Sequence, residues 1–205
     1  MKILVVGGTG IIGKAIVELL KGEHEVIAVG KNSGDYQIDI EDKASITKMF
    51  EDFKDIDGVI STTGMAMLAP LDQISDADID LALNSKLKGQ VNVLLEGLKH
   101  VKDGGFITLT TGTASHTPFP GASAITMACA GLEGFVMAAE AEKTKDIRIN
   151  VVRPALVTES MKLFNLDAPF SVSADDTARV YKAVAERNES GQMYNVDECL
   201  VELDK

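Results

Sequence analysis

Cysteine is scarce in this 205-residue chain: Cys129 and Cys199 are the only two. Their separation matches no metal-ligand spacing, and two lone thiols read as reduced rather than bridged. Positive charge is also short, with 20 Lys and Arg against 31 Asp and Glu, a formal net charge of −11. That balance repels phosphate backbones and anionic lipid, so neither nucleic acid nor a membrane is expected as a partner. No long hydrophobic run opens the chain. Lys2 is followed only by Ile3–Val6 before glycines, too short for a signal core or a membrane span. The expectation is a cytoplasmic protein. Repeats, linkers and low-complexity segments are missing too, which leaves a single domain over residues 1–205.

What is present alternates. KILVV, EVIAVG, DYQIDI, DGVISTTG, GGFITLTTG, DIRINVVRP and GQMYNVD read as seven strands. Between them lie helical patterns: Ile12, Ala15, Ile16, Leu19 and Leu20, then EDKASITKMFEDF behind a cap at Asp42. A long helix covers 75–100, opened by the Ser75/Asp78 capping-box spacing, and another covers 122–143. Ser173 and Asp176 repeat the box ahead of TARVYKAVAER, and 155–172 reads as irregular. Alternating strands and helices predict a parallel sheet covered on both faces, a Rossmann-type doubly wound α/β fold of about seven strands.

The first turn carries chemistry. Gly7, Gly10 and Gly13 of GGTGIIG stand between a strand and a helix. Gly7 allows a tight turn, Gly10 lets backbone N–H groups approach a pyrophosphate, and Gly13 lets helix and sheet pack closely. Thr9 and Ile12 lie in the same turn and join the candidate dinucleotide site. The second strand ends in GKNSG rather than in the acidic residue that accepts ribose hydroxyls. Lys31, Asn32 and Ser33, with no carboxylate nearby, favour a 2′-phosphate and therefore NADP over NAD. The bland alternative is a glycine turn without a ligand and a solvated lysine.

With these motifs, the chain resembles the short-chain dehydrogenase/reductase family over nearly its whole length. GGTGIIG resembles the glycine motif of the extended members. Asp39 matches the family's Asp near the adenine, and Ser61–Gly64 (STTG) stands where the family has Asn-Asn-Ala-Gly. IRINVVRPA, containing Pro154, resembles the sixth-strand motif, and SGQMYNVD the last-strand motif. Thr158 falls within one position of a family Thr that contacts the nicotinamide amide. The resemblance implies a seven-stranded sheet, a dinucleotide cofactor, and a homodimer or homotetramer built on the two long helices. Ala128, Ala130, Gly131 and Gly134 give the later helix a small-residue face suited to close packing, against a partner or the chain's own sheet.

The same alignment places the family's catalytic Tyr and Lys on Ile125 and Cys129. Neither can do that work, and general acid catalysis is worth about 10²–10⁴ in rate. The family's catalytic Ser matches Thr111, or Thr110 with a shift of one, and its helical Asn matches Lys86. Lys86 is one candidate replacement, as a desolvated proton donor, or else a lysine that snorkels outward. His116, in the loop after the fifth strand, is another, or else a surface histidine. Met161, Leu163, Phe164 and Phe170 suggest an apolar substrate wall, or simple packing. Three functions remain: an NADP(H)-dependent oxidoreductase of a small carbonyl or alcohol with an atypical site, a non-catalytic NADP(H)-binding sensor or partner-binding module, and an isomerase or dehydratase whose acid/base pair is not evident. No grouping of His, Cys and Asp in the sequence suggests a metal.

Overall fold

The computed structural model describes residues 1–163 and 171–205. Phe164 and Phe170 lie outside the described residues. Seven strands form one sheet: β1 (Lys2–Val6), β2 (Glu25–Gly30), β3 (Tyr36–Gln37), β4 (Ile56–Ser61), β5 (Val101–Thr110), β6 (Arg148–Arg153) and β7 (Met193–Asn195). Their order is β3-β2-β1-β4-β5-β6-β7, and every pairing is parallel. The chain winds outward to β3, then returns to place β4 beside β1. The carboxyl ends of β1 and β4 therefore flank the topological switch point, where this architecture opens a crevice.

The helices are α1 (Ile11–Leu20), α2 (Lys43–Asp52), α3 (Asp76–Leu81), α4 (Gln90–His100), α5 (Ser123–Glu142), α6 (Thr158–Leu163), α7 (Ala174–Glu186) and α8 (Val196–Leu203). They cover both sheet faces because the strands are apolar on both. Ile3 and Val5 point into one cluster with Ile16, Leu20, Tyr181 and Val184 from α1 and α7. Leu4 and Val6 point the other way, to Phe50, Val93, Leu94, Leu132 and Val136 from α2, α4 and α5. By length and composition alone α5 could cross a membrane. Here its Leu132 and Val136 are fully buried in the cluster against the sheet.

Local signals act as read. Asp42 accepts from the Ala44 N–H, and Ser75 and Asp78 cap each other reciprocally. Ser173 accepts from the Asp176 N–H. Four regions differ from the sequence reading. β3 is only Tyr36–Gln37, an edge pairing, after which Ile38–Glu41 turn toward the crevice. The long helix over 76–100 widens into a π-helical stretch at Ala82–Gly89. Among the described residues of 155–172, a short helix (α6) and a bridge from Val157 to Val172 stand where the sequence reads as irregular. The last strand stops at Asn195, because Val196, Cys199 and Leu200 pack as one helical face.

Candidate functional site

A cleft of about 250 Å³ lies at the switch point, lined by residues of the glycine turn, the ends of β2 and β4, and Ser85. Gly7 has φ +91°, a region that disfavours side chains, and a Cβ on Gly13 would sit 2.0 Å from the Gly7 carbonyl. Turn and helix therefore meet backbone to backbone. At Gly10 an added Cβ would meet only the Gly7 carbonyl, at 3.3 Å, so within the protein the space above it is open cleft. Gly10 is the N-cap of α1. It offers no side-chain cap, and the first turn carries no acidic residue. The positive end of this helix thus faces the cleft with N–H groups uncovered, a setting suited to an anion such as a pyrophosphate. Thr9 lines the cleft beside Gly10, whereas Ile12 turns away and packs on the α1 side of the sheet.

At the far end of the cleft the sequence reading needs correction. It places no carboxylate near Lys31, yet Lys31 Nζ lies 2.8 Å from Asp39 Oδ2. The end of β3 swings back beside the end of β2, which sequence distance conceals. The pair holds the Asp39 carboxyl below its usual range, chiefly through the Lys31 hydrogen bond. Lys31 lines the cleft, while Asn32 and Ser33 are exposed in the adjoining loop. Ser61 is buried, with its hydroxyl 2.9 Å from that of Thr63. Thr62, Thr63 and Gly64 form the opposite wall.

Lys86 sits in the π-helical stretch, behind that wall. Gly64, at φ +106°, passes so close that a Cβ there would lie 2.6 Å from Lys86 Cα. Gln90 pins the stretch in place. Its Nε2 donates to the carbonyls of Lys86 (3.2 Å) and Thr110 (2.7 Å), while its Oε1 accepts from the Thr110 N–H (2.9 Å). Lys86 is 7% exposed and makes no ion pair among the described residues. Burial pushes its ammonium below the usual lysine range. The nearby Cys129 thiol on α5, itself pushed up by burial, acts in the opposite direction and is outweighed. A π-helical insertion is a frequent companion of functional sites.

Thr111 is elsewhere engaged. Its hydroxyl donates to Glu133 Oε1 at 2.8 Å, and Arg153 grips the same carboxylate through Nε and Nη2 at 2.8 and 2.7 Å. Burial raises the Glu133 pKa, but Arg153, Ser115 and Thr111 outweigh it and hold the carboxyl below its ordinary range. Thr110 donates to the Ser61 carbonyl and meets the buried Tyr181 hydroxyl, both at 2.6 Å, which ties the two strand ends together. His116 is exposed, with Nδ1 2.9 Å from the Ser115 hydroxyl. Lys86, Thr111 and His116 share no hydrogen bond among the described residues. Pro154 is buried and its carbonyl accepts from the Thr113 N–H. Thr158 opens α6, its hydroxyl 2.8 Å from that of Ser171. On α5, Gly131 faces Leu87 of the same chain, while Ala130 is exposed and a Cβ at Gly134 would meet nothing.

Sequence reasoning did not find Glu133 and Arg153, which are 20 residues apart and meet only when α5 packs on β6. It also missed Ile38, Ile40, Glu41, Met65 and Ser85 in the cleft wall. Ser85 had a signal, as the neighbour of Lys86. The structure also gathers Glu23, His24 and Glu186 within 4.8 Å at the opposite, amino edge of the sheet, a grouping invisible in the sequence. Two of these three are exposed, and Glu23 is already paired with Lys182 at 2.6 Å.

A family model described as enoyl-(acyl carrier protein) reductase matches residues 12–195. Among solved structures, the protein lin1944 from Listeria innocua aligns with a TM-score of 0.90 and 35% identity, over 96% of this chain and 99% of that one. A small-chain dehydrogenase in complex with NADPH aligns at a TM-score of 0.83 and 24% identity, over 95% of each chain. Hydroxynaphthalene reductase arp2 from Aspergillus fumigatus is 25% identical over 150 residues, 69% of this chain and 55% of the relative. The chain spans about half the length of the curated relatives it matches. Seven parallel strands, a crevice at their switch point and a family match across most of the sequence make this chain a member of the short-chain dehydrogenase/reductase family.

Proposed function

We propose that the cleft binds NADP(H) and that the protein moves hydride between this coenzyme and a small carbonyl or alcohol, with an atypical proton partner. The observation that carries the reading is the uncapped amino end of α1, open to the cleft beside Gly10. The NADPH complex of a structural neighbour supports the choice of coenzyme. When bound, the coenzyme supplies or accepts the hydride. The protein's share is placement and proton handling. The first turn of α1 holds the pyrophosphate. Lys31 exchanges Asp39 for the 2′-phosphate, a doubly charged and stronger partner. Lys86 Nζ, desolvated behind Gly64, exchanges a proton with the substrate oxygen, and its lowered pKa brings that exchange closer to neutral pH. Thr111 and His116 are supporting candidates, Thr111 through its hydrogen bond to Glu133. Asp39, Ser61, Pro154 and Thr158 lie outside the cleft lining and are kept as candidate cofactor contacts on the family resemblance alone.

The test is direct. NADPH is titrated by nicotinamide fluorescence, then turned over against a panel of aldehydes and ketones. Lys31→Ala is expected to weaken NADPH about tenfold and leave NADH nearly unchanged. Equal effects on the two would overturn the phosphate contact. A second reading, a binding module without turnover, draws on Ile125 and Cys129 standing on α5 and on the prior commitment of Thr111 to Glu133. Tight NADPH binding with no substrate turned over would select it. A homodimer or homotetramer fits the groove of about 380 Å³ on the outer side of α4 and α5, lined by Leu95, Leu98 and Phe135. A cytoplasmic location suits the two free, buried thiols.

A further inference from the structure

The loops after β4 and β5, residues 62–75 and 111–122, leave the same carboxyl edge of the sheet as the glycine turn. Together they hold one formal charge, Asp72, in a chain whose residues are 25% charged. Surface loops ordinarily carry the polar groups of a domain. These two instead present Met65, Met67, Leu68, Leu71 and Phe119 to solvent, each between 40% and 77% exposed. The loops are joined: the Ala69 N–H donates to the Gly121 carbonyl at 3.0 Å. They are also continuous with the cleft, since Met65 lines it and donates its backbone N–H to Ser85 Oγ at 3.1 Å. An exposed apolar surface continuous with a cleft marks a binding face. Neither loop holds a lysine or arginine to meet an anionic substrate, and the nearby Arg153 is already held by Glu133.

We infer that these two loops form an apolar vestibule that selects a neutral, hydrocarbon-rich carbonyl compound over a small anionic one. This inference rests on the proposed hydride transfer for its reaction, though not for its binding. Methionine suits the task, because its flexible thioether adapts to irregular apolar shapes. Hydrocarbon attached to the carbonyl leaves water on entering, and each added methylene strengthens binding. The cleft beyond then holds only the reacting carbon, near the coenzyme.

Two measurements test it. In the first, a series of 2-alkanones from butanone to nonanone is reduced with NADPH, with pyruvate as the anionic comparison. kcat/KM is expected to rise roughly threefold per methylene. A triple variant, M67S/L71S/F119S, is expected to flatten that rise while keeping the NADPH affinity of the wild type. In the second, Nile red, a neutral apolar dye, is titrated without coenzyme. The expected result is saturable fluorescence, displaced by 2-nonanone and weakened at least fivefold in the triple variant. Flat chain-length dependence, preference for pyruvate, or dye binding unchanged in the variant overturns the vestibule. A light-scattering result of dimer for wild type and monomer for the variant also overturns it, by assigning the face to a second copy of the chain. Failure to bind NADPH sinks the proposed function alone, and the dye then decides the vestibule by itself.

Discussion

The two halves of the candidate site are built on different principles. The glycine turn is backbone: Gly7 against Gly13, an uncapped helix end, and an open space over Gly10. The region around Lys86 is side chain: Lys86 buried without an ion-pair partner among the described residues, and Thr111, Glu133 and Arg153 locked together. A backbone cradle needs glycine and a turn and little else, so it tolerates wide change around it. A side-chain site depends on each neighbour. One fold can therefore keep its grip on a nucleotide while its chemistry is rewritten.

Three substitutions sharpen or break that contrast. Lys86→Met should lower turnover about 10²–10⁴-fold with NADPH affinity unchanged. It should also stabilise the fold by about 1 kcal/mol, or roughly 2–4 °C in Tm, because a desolvated ammonium is removed. The sign in pH follows. Lys86 has a folded pKa below its unfolded value, so the unfolded chain binds the extra proton between the two. Wild-type stability then gains as pH rises through that window, and the advantage of Lys86→Met, seen by thermal melts, shrinks toward pH 10. A constant advantage would place Lys86 in water. Next, Arg153→Met strands the Glu133 carboxylate and should cost about 3 kcal/mol at neutral pH by urea unfolding. Glu133 has a lowered folded pKa, so the pair's contribution is full above the ordinary carboxylate range and fades as pH falls through the folded value. The gap between wild type and variant should close in acid. Last, Gly10→Asp puts a good cap on α1 and a negative charge where the pyrophosphate would lie. NADPH affinity by calorimetry should fall about a hundredfold while Tm holds or rises. Retained affinity would mean that the coenzyme enters elsewhere.

The unequal legibility of the two halves follows from the same contrast. Strand and helix patterns, the caps at Asp42, Ser75 and Ser173, and the glycine turn are local codes, written within a few residues. Lys86 was also visible in sequence, though not what holds it. Gln90 reaches across to Thr110, Arg153 meets Glu133, and Asp39 returns to Lys31 only after the chain folds back. The Lys31–Asp39 contact went unread because eight positions of loop and edge strand separate them. The helix α8 was hidden by a strand motif whose last two residues, Val196 and Asp197, already belong to the helix.

The π-helical stretch at Ala82–Gly89 amounts to spare length in an otherwise regular rod. Removing one residue there lets the rod rewind, and each residue advances an α-helix by about 100°. The section before the deletion would then point a new face at its surroundings, while the part that seats on the sheet stays put. A single codon lost within this stretch would swing the amine out of the wall, and would pull Ala82 from its packing on Ala124 and Ala128 of α5.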